Sequence, residues 1–266
     1  MKKIKKPLVS VVMNCFNGEK FLKKSVHSVL MQTFKNWELI FFDNRSTDKS
    51  LKIVKNFNDK RIKIVKSKKH LKLYHARNEA IKISKGKFIA FIDCDDWWKK
   101  NKLKKQLNLF TKDKAIDLVY TNLYIYNNAK KKSSIFSNDK LKSGFLFREL
   151  LKSYKIFILT VLAKREVFQK KMFNQHYDII GDFEFFIRKS FKYYYGALQE
   201  PLAYYRHHSD NYSKKKIKLY YEELIDWMKN FEKKKIRHSL NLKHVKKELF
   251  KTKMKIYLRD FLKLGV

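Results

Sequence analysis

Cysteine, proline and glycine are all scarce in this chain of 266 residues, which contains two, two and six of them. The two cysteines, Cys15 and Cys94, cannot build a disulfide framework and have no partners at metal-site spacing. Because prolines and glycines are so few, little of the chain is suited to a disordered linker. These absences predict a globular protein of a reducing compartment.

Long apolar runs and a cleavable leader are missing as well. No stretch approaches the ~18 uncharged apolar residues that a membrane span needs. The N-terminal segment MKKIKKPLVSVVM leads into a strand-like pattern without a small-residue cleavage site. We therefore expect a cytoplasmic protein that is neither secreted nor integral to a membrane.

Acidic residues are heavily outnumbered, with 25 Asp and Glu against 63 Lys and Arg, for a net charge of +38. Such a surface attracts nucleic acids, anionic lipid headgroups and phosphorylated small molecules alike, so charge alone does not choose among them. The excess of lysine also fits the codon bias of an AT-rich gene. The most basic part is the segment 214–266, with 17 Lys and Arg against 6 acids.

The first hundred residues alternate between short β-branched or aromatic runs and segments of helical period, which predicts parallel strands joined by crossover helices. The predicted strands are 8–15, 37–43, 61–66 and 87–93, and the predicted helices are 19–32, 46–57 and 74–84. The first, second and fourth strands end in NCFNG, DNRSTD and DCDD. Because ligands of open α/β sheets bind outside the carboxyl ends of strands, these clusters should converge on one crevice.

The rest of the chain predicts a completion of the sheet followed by helices. A helix to about residue 111, a strand over 115–126, a Lys/Ser-rich loop over 127–143 and mixed segments lead to residue 213. Residues 214–266 have helical period with apolar stripes. We predict an α/β fold with a mostly parallel, Rossmann-like sheet flanked by helices, a nucleotide-binding half over 1–98 and a basic, amphipathic helical tail over 214–266.

Four segments resemble the family-2 glycosyltransferases of GT-A fold: 7–50, 75–96 (HARNEAIKISKGKFIAFIDCDD), 181–188 (GDFEFFIR) and 204–213 (YYRHHSDNYS). The resemblance covers roughly residues 7–213 in the correct order. It implies a catalytic domain over 1–213, with the acceptor side over 99–213. It further implies inverting transfer of a sugar from a nucleotide-diphosphate donor, UDP-sugars favoured, to a glycan or lipid-linked glycan hydroxyl, in bacterial surface polysaccharide synthesis.

The DCDD cluster is the predicted metal site, because a diphosphate leaving group needs a divalent cation, Mg²⁺ or Mn²⁺, and hard cations favour carboxylate oxygens. Asp95 is the predicted ligand. By the resemblance, Asp93 contacts the donor ribose or the metal, and His208 completes the coordination or touches the diphosphate. The alternatives are acids that only cap the next helix and a surface His207–His208 pair.

The donor is predicted to lie on the loops that end the first two strands. By the resemblance, Asp43 accepts a hydrogen bond from a ring N–H of the base, and Phe16 packs either on the base or in the core. The planar guanidinium of Arg77 suits a phosphate. The other predicted donor contacts are Asn14, Asn17, Asn44, Ser46, Asp93 and Arg206, with helix capping as the alternative for Ser46.

Inversion needs a carboxylate that takes the proton from the acceptor hydroxyl. Asp182 is the predicted base, Glu184 is its alternative, and a first-turn acid that only stabilises a helix is the other interpretation. The chain departs from the usual family pattern at Gly181, where many relatives have a second acid, at Arg45, often Gly, and at Cys94, between the two acids.

Two rival functions follow from the same sequence. A nucleic-acid-binding protein would explain the charge and the interleaved aromatics, but it leaves DCDD and GDFE unexplained because acids repel phosphates. An inactive, sugar-binding relative is the second rival. We expect no nucleic-acid partner. The basic tail predicts contact with an anionic membrane, which would place the enzyme at the inner face of the plasma membrane.

Overall fold

A computed structural model of the chain describes residues 7–232 and 240–263. Parts of the predicted catalytic domain and tail, namely residues 1–6, 233–239 and 264–266, lie outside the described residues. No helix in the described ranges is long and apolar enough to cross a membrane.

The N-terminal half is a parallel sheet with helical crossovers, as predicted. Its strands are β1 (Val9–Cys15), β2 (Trp37–Asp43), β3 (Ile62–Lys66) and β4 (Phe88–Phe91). Its helices are α1 (Glu19–Leu30), α2 (Ser50–Lys55) and α3 (Leu73–Ile83). β1 pairs in parallel with both β2 and β4, and β2 pairs in parallel with β3. Every residue of β1, β2 and β4 is buried, which explains their nearly continuous apolar sequence.

The second half extends the sheet with strands of mixed direction. Its elements are β5 (Trp97–Trp98), α4 (Lys102–Lys112), β6 (Leu118–Asn127), β7 (Lys132–Ile135), α5 (Phe147–Lys152), a 3₁₀ turn (Ile158–Thr160), β8 (Leu162–Lys164), α6 (Glu166–Gln169), α7 (Gly181–Lys189) and β9 (Tyr195–His207). The strand order is β3-β2-β1-β4-β8-β6-β9-β5, with β7 beside β6. The predicted loop over 127–143 was therefore partly wrong. The strand in it is wholly exposed, so no apolar alternation marks it.

Side chains on the two faces of the sheet form two separate cores. Val11 and Met13 of β1 belong to one core, together with α1 and α4, whereas Val12 belongs to the other, together with α3 and α7. This alternation is the period-two pattern of a strand buried on both faces. The core that contains Val12 also contains the side chains that lie beneath the candidate site.

The C-terminal extension is helical, as predicted, and consists of α8 (Tyr212–Lys215), α9 (Ile217–Glu232) and α10 (Lys243–Lys263). The apolar stripe of α9 is buried in the same core as α7: Leu224, Trp227 and Phe231 are at most 5% exposed. The rings of Trp227 and Phe183 lie 4.9 Å apart. Because these side chains are buried, α9 packs as part of the second half of the fold.

Candidate active site

His208 and Asp95 are in contact where the chain leaves β4 and β9. Nε2 of His208 lies 2.9 Å from Oδ2 of Asp95. The Asp210 amide donates to Nδ1 of His208 at 3.1 Å, which assigns the ring proton to Nε2. The fold therefore brings together two residues that the sequence analysis had assigned to the same site, although they are 113 positions apart.

Arg206 secures the DCDD loop from β9. Its backbone amide donates to Oδ1 of Asp96 at 2.7 Å, and its Nε donates to the backbone carbonyl of Asp95 at 2.8 Å. A third bond runs from Nη1 to Asn128 at 2.9 Å. The side chain, predicted to bind the donor, is buried, and its Nε and Nη1 atoms donate to protein acceptors, so Arg206 positions the loop that carries the acids.

Asp96 is the most deeply buried acid of the loop, at 1% exposed. Burial, followed by the charges of Asp95 and Asp93, raises the pKa of Asp96 well above its ordinary value. Its Oδ2 is buried without a partner. Asp93 and Asp95 are partly exposed whereas Asp96 is 1% exposed, so Asp95 and Asp93 are the better candidates for metal ligands in this loop.

Asp93 and Asp182, from the two halves of the fold, are connected through two buried side chains of α3. Nη2 of Arg77 donates to Oδ1 of Asp93 at 2.5 Å. The guanidinium carbon of Arg77 lies 5.1 Å from the centre of the Tyr74 ring, and the Tyr74 hydroxyl lies 2.8 Å from Oδ1 of Asp182. Carboxylates from distant parts of the sequence are therefore linked by one chain of side-chain contacts.

Asp182 lies in the first turn of α7 and is only partly exposed. Burial raises the pKa of Asp182, while the Arg77 charge and the hydrogen bonds from Tyr74 and from the Phe183 amide oppose that rise. The same hydroxyl of Tyr74 also lies 3.0 Å from the carbonyl of Ile179, although its single proton serves one acceptor at a time. A carboxylate with a raised pKa and a donor at one oxygen keeps its other oxygen free to take a proton.

Gly181 leaves the space that the Tyr74 ring fills. A Cβ placed on Gly181 would lie 2.4 to 2.6 Å from three ring carbons of Tyr74, closer than real Cβ contacts come. Tyr74 is 1% exposed and cannot move aside cheaply. The absent second acid of the family pattern is thus explained by a tyrosine that takes its place.

Glu184, the alternative base, is engaged elsewhere. Nε and Nη2 of Arg188 donate to its two carboxylate oxygens at 2.6 and 3.1 Å. Arg188 also donates to the carbonyls of Lys171 and Met172, which fixes the pair to the preceding loop. A bidentate partner of this kind competes with any proton transfer by Glu184.

The loops after β1 and β2 are joined by reciprocal hydrogen bonds. The backbone amide of Asn17 donates to Oγ of Ser46 at 3.1 Å, and the side-chain Oδ1 of Asn17 accepts from the Thr47 backbone amide at 2.8 Å. Oδ2 of Asp48 accepts from the Glu19 amide at 3.0 Å. These side chains form hydrogen bonds between the two loops, and α2 begins at Ser50 instead of the predicted residue 46. Ser46 therefore bonds to the neighbouring loop and does not cap the helix.

Buried polar atoms without a partner lie at the same edge of the sheet. Both amide atoms of Asn14 and the Oδ2 atom of Asp43 have no hydrogen-bond partner. A buried group left unpaired costs ~1–3 kcal/mol. Oδ1 of Asp43 accepts from the Ser46 amide at 3.2 Å, so one carboxylate oxygen remains unused at the predicted base site.

The rings of Phe16 and His70 meet edge to face at this end of the sheet. Phe16 is 50% exposed, so the core interpretation of Phe16 does not hold, and its ring centre lies 4.5 Å from that of His70. Asn44, predicted to contact the donor, instead donates to the carbonyl of Leu71 at 2.8 Å and accepts from its amide at 2.9 Å. The available aromatic surface is therefore Phe16, which the sequence analysis selected, together with His70, which it missed.

Glu223 of α9 holds the segment that leads into α7, and it too was missed. Its carboxylate accepts hydrogen bonds from three successive amides, those of Asp178 at 2.6 Å, Ile179 at 2.9 Å and Ile180 at 3.0 Å. Asp178 in turn accepts from the Leu73 amide at the start of α3. A glutamate within a helical stripe resembles any solvated acid in sequence, so no local signal could have revealed this role.

The oxygen and nitrogen atoms at the DCDD loop suit one cation whose remaining ligands come from a bound nucleotide. In the described part of the chain, no three His, Cys, Asp or Glu side chains are arranged to hold a metal ion. Mg²⁺ bound with a nucleotide typically takes one or two carboxylates and completes its shell with phosphate oxygens and water. Asp95 fits this pattern, and His208 fits once its ring proton moves from Nε2 to Nδ1, at the cost of the contact with Asp210.

A parallel N-terminal half that continues into a half of mixed strand direction, flanked by helices, is the architecture expected of a glycosyltransferase of GT-A type. The family profile described as Glycosyl transferase family 2 matches residues 10–194. The chain belongs to this family, which confirms the resemblance on which the sequence analysis relied.

Relatives in bacteria and archaea match this chain, three of them at 38, 31 and 33% identity. An E. coli protein, UDP-Glc:alpha-D-GlcNAc-diphosphoundecaprenol beta-1,3-glucosyltransferase WfgD, is 38% identical over 59% of this chain, a match that spans 60% of WfgD. An uncharacterized glycosyltransferase of Methanocaldococcus jannaschii is 31% identical over 84% of this chain and 80% of its own length. TuaG, a Bacillus subtilis glycosyltransferase assigned to teichuronic acid biosynthesis, is 33% identical over 60% of this chain and 64% of its own length.

Solved structures agree with the fold. S. aureus TarS 1–349 in complex with UDP gives a TM-score of 0.65 at 20% identity, over 82% of this chain and 65% of that one. A Pyrobaculum calidifontis mannosyltransferase in complex with GDP-Man and Mn²⁺ gives 0.63 at 14% identity, over 92% and 70% of the two chains. At these identities the likeness establishes the architecture, and the GT-A fold with its helical extension is confirmed.

Proposed function

We propose that the protein is an inverting, divalent-cation-assisted glycosyltransferase that uses a nucleotide-diphosphate sugar, a UDP-sugar by preference. The observation that carries the proposal is the continuous contact from Asp93 through Arg77 and Tyr74 to Asp182, which joins the donor half to the acceptor half. A single displacement needs both halves at one reacting carbon. The acceptor is proposed to be a hydroxyl of a glycan or lipid-linked glycan, as the name of WfgD describes for that protein.

In this mechanism Asp182 takes the proton of the acceptor hydroxyl while that oxygen attacks the anomeric carbon from the face opposite the nucleotide. The bond from the anomeric carbon to the diphosphate breaks, and the configuration inverts. Tyr74 orients one oxygen of Asp182, which leaves the other for the proton. Burial supports the role by raising the pKa of Asp182 above that of an ordinary carboxyl.

The leaving group is proposed to be bound between the loops after β1, β2 and β4. Asp43 and Asn14 offer unpaired polar atoms for the nucleoside, and Phe16 with His70 offers aromatic surface for the base. Mg²⁺ or Mn²⁺, when bound, would neutralise charge that develops on the departing diphosphate. Asp95 would hold that cation, with His208 and Asp93 beside it.

Attachment of α10 to an anionic membrane is a second part of the proposal. Phe250, Met254 and Leu258 are 68, 44 and 53% exposed and follow one another at helical spacing. Lysines surround them on the same helix, in the sequence KTKMKIYLR. Exposed apolar residues flanked by cations are typical of helices that lie in the headgroup region, where each basic residue contributes about 1 kcal/mol.

A donor screen tests the proposal. The protein is incubated with UDP-glucose, UDP-N-acetylglucosamine, UDP-galactose and GDP-mannose, each with Mn²⁺ and with chelator, and donor hydrolysis and the melting temperature are recorded. We expect one UDP-sugar to raise the melting temperature and to be hydrolysed slowly, with both effects lost in chelator. Equal responses to all four donors with and without Mn²⁺ would contradict the proposal.

A further inference from the structure

The only two cysteines of the chain are neighbours in the fold. The parallel register of β1 and β4 pairs Val12 with Phe91, and the Ile92 amide then donates to the carbonyl of Val12 at 3.1 Å. Continued three residues past Val12, the same register places Cys15 beside Cys94. Adjacent strands lie ~4.8 Å apart, which is within the range of Cα separations that a disulfide needs.

The two cysteine side chains lie on the same face of the sheet. Cys15 is 2% exposed and belongs to the core that contains Val11 and Met13, and Cys94 packs against that core. The two thiols are in hydrogen-bonding contact, and both are free. Two sulfurs in contact need only a small further approach to reach the ~2.05 Å of a disulfide bond.

Gly18, at the start of α1, leaves the space that both sulfurs occupy. A Cβ on Gly18 would lie 2.8 Å from Sγ of Cys15 and 2.9 Å from Sγ of Cys94, under the 3.0 Å that real Cβ contacts keep. The φ of Gly18 is −100°, so its backbone conformation does not require glycine. The sulfur pair is therefore the feature that requires a glycine at this position.

The pair connects the loops to which the nucleoside and the cation are assigned. Cys15 directly follows Asn14, whose amide atoms are buried without a partner. Cys94 lies between Asp93 and Asp95 in the DCDD loop. Because the backbone joins each cysteine to these neighbours, a movement of either sulfur displaces the predicted ligands of the nucleoside or the cation.

Cys94 is the member of the pair that a soluble oxidant reaches. It is partly exposed, whereas Cys15 is buried behind it. Oxidation of such pairs begins at the accessible thiol, and the neighbouring thiol resolves the product into a disulfide. In the reducing compartment that the sequence predicts, disulfides are usually transient and redox-sensing.

We propose that Cys15 and Cys94 form a reversible redox site, in which a hydroperoxide converts the dithiol into a disulfide that weakens binding of the nucleotide and its cation. With hydrogen peroxide, the Cys94 sulfur attacks one oxygen, the O–O bond breaks, and a sulfenic acid and water form. The Cys15 sulfur then attacks the Cys94 sulfur, the S–O bond breaks, and a second water leaves. The two thiols lose two electrons to the peroxide, and their two protons end in the waters.

The disulfide acts on the candidate site by moving its backbone. It draws the sulfurs from contact to bonding distance and thereby changes the position of Asp93 and Asp95 relative to Asn14. Loss of the contacts that orient metal ligands typically costs 10–100-fold in affinity. Formation of the bond is independent of the proposed function, whereas the effect on nucleotide binding rests on it.

Peptide mapping of the folded protein after treatment with hydrogen peroxide tests whether the bond forms. Tryptic digestion without reductant should release peptide 6–20 joined to peptide 88–99, since each contains one cysteine. The joined species should disappear after dithiothreitol. Gly18→Ala keeps both thiols but places a Cβ against both sulfurs, so it should lose most of the joined species.

Calorimetric binding of UDP with Mn²⁺, before and after oxidation, tests the effect on the candidate site. We expect the oxidised protein to bind UDP roughly tenfold more weakly, with recovery after dithiothreitol. Cys15→Ser and Cys94→Ser should each bind UDP equally before and after peroxide. Both variants keep every methionine, so peroxide damage elsewhere would appear in them as well. Should melting temperatures show that Cys15→Ser has unfolded, Cys94→Ser, at the partly exposed position, decides the test.

Three results would overturn the inference: no joined peptide from the folded wild type, equal UDP affinity of the oxidised and reduced protein, or an equal loss of affinity in Cys94→Ser. The proposed function fails separately, if the reduced protein binds no UDP and hydrolyses no donor in the screen described above. In that case the peptide map alone decides whether the redox pair exists.

Discussion

The hydroxyl of Tyr74 lies 2.8 Å from a carboxylate oxygen of Asp182, across 108 positions of sequence. The hydrogen bond favours the charged form of Asp182, whereas burial favours the protonated form. The balance between these two effects sets the pH at which Asp182 can accept a proton. It also makes Tyr74 a positioning residue that can be tested apart from the base itself.

Asp182→Asn should abolish transfer while leaving the fold intact, since the amide keeps the shape but cannot take a proton. We expect kcat to fall by ~10²–10⁴-fold, the usual contribution of a general base. Glu184→Gln is the matched control, because Glu184 lies on the same turn and is bound by Arg188. It should lower kcat far less. A larger loss in Glu184→Gln than in Asp182→Asn would reverse the assignment.

The pH profile of kcat/KM should have an acidic limb above the ordinary carboxyl pKa of ~3.9, because burial raises the pKa of Asp182. Activity should be present above that pKa and lost as the pH falls through it. Tyr74→Phe removes a hydrogen bond that favours the carboxylate, so it should move the limb to higher pH. A limb that stays in place in Tyr74→Phe, with only kcat lowered, would mean that Tyr74 acts through packing alone.

Gly181→Ala should destabilise the protein, because its Cβ meets the buried ring of Tyr74. Overpacking of this kind costs ~1–3 kcal/mol in free energy of unfolding, which urea titration can measure. Replacing Tyr74 by Leu in the same chain should recover part of that loss, since the ring atoms in contact are removed. Additive effects of the two substitutions would show that the ring and the glycine do not interact.

Arg45 adopts a φ of 70°, the left-handed conformation that favours glycine. Arg45→Gly should therefore be more stable than Arg45→Ala, which keeps the Cβ and removes the same charge. The expected difference in unfolding free energy is ~1 kcal/mol. Equal stability of the two variants would mean that the backbone at this position relaxes without cost.

Phe250, Met254 and Leu258 should contribute to binding of vesicles that contain anionic lipid. Replacing all three by Ser is expected to reduce the bound fraction in sedimentation, while high salt reduces it further by screening the lysines. Phe191→Ser is the control, because Phe191 is 74% exposed at the end of α7. Deleting residues 214–266 is a poor test, since it would remove Leu224 and Trp227 from the core. No difference between the triple variant and Phe191→Ser would contradict the membrane proposal.

The parallel strands and their polar ends could be predicted because strands buried on both faces require continuous apolar sequence, and each such strand here is followed by a turn of Asn, Asp or Ser. The family resemblance placed His208 and Asp95 at one cation, and the two side chains are in contact. By contrast, β5 has two residues and β7 is wholly exposed, so neither produces a pattern.

The partners of single polar side chains could not be predicted either. Arg77 was selected for a phosphate, yet its guanidinium meets Asp93. Asn44 was assigned to the donor, yet both ends of its amide bind Leu71. Sequence patterns identify which residue types lie at the crevice, whereas tertiary geometry decides which acceptor each donor reaches.

Glu223 gives the three amides before α7 their acceptors from a helix that lies outside the family match, which ends at residue 194. The orientation of Asp182, the proposed base, thus depends on a segment that relatives need not share. Exchange of C-terminal segments between such enzymes would therefore replace the residue that supports the start of α7 as well as change any binding preference of the tail. A chimera that keeps every motif of the crevice, but lacks an acid at this point of α9, should be misaligned at its reacting centre.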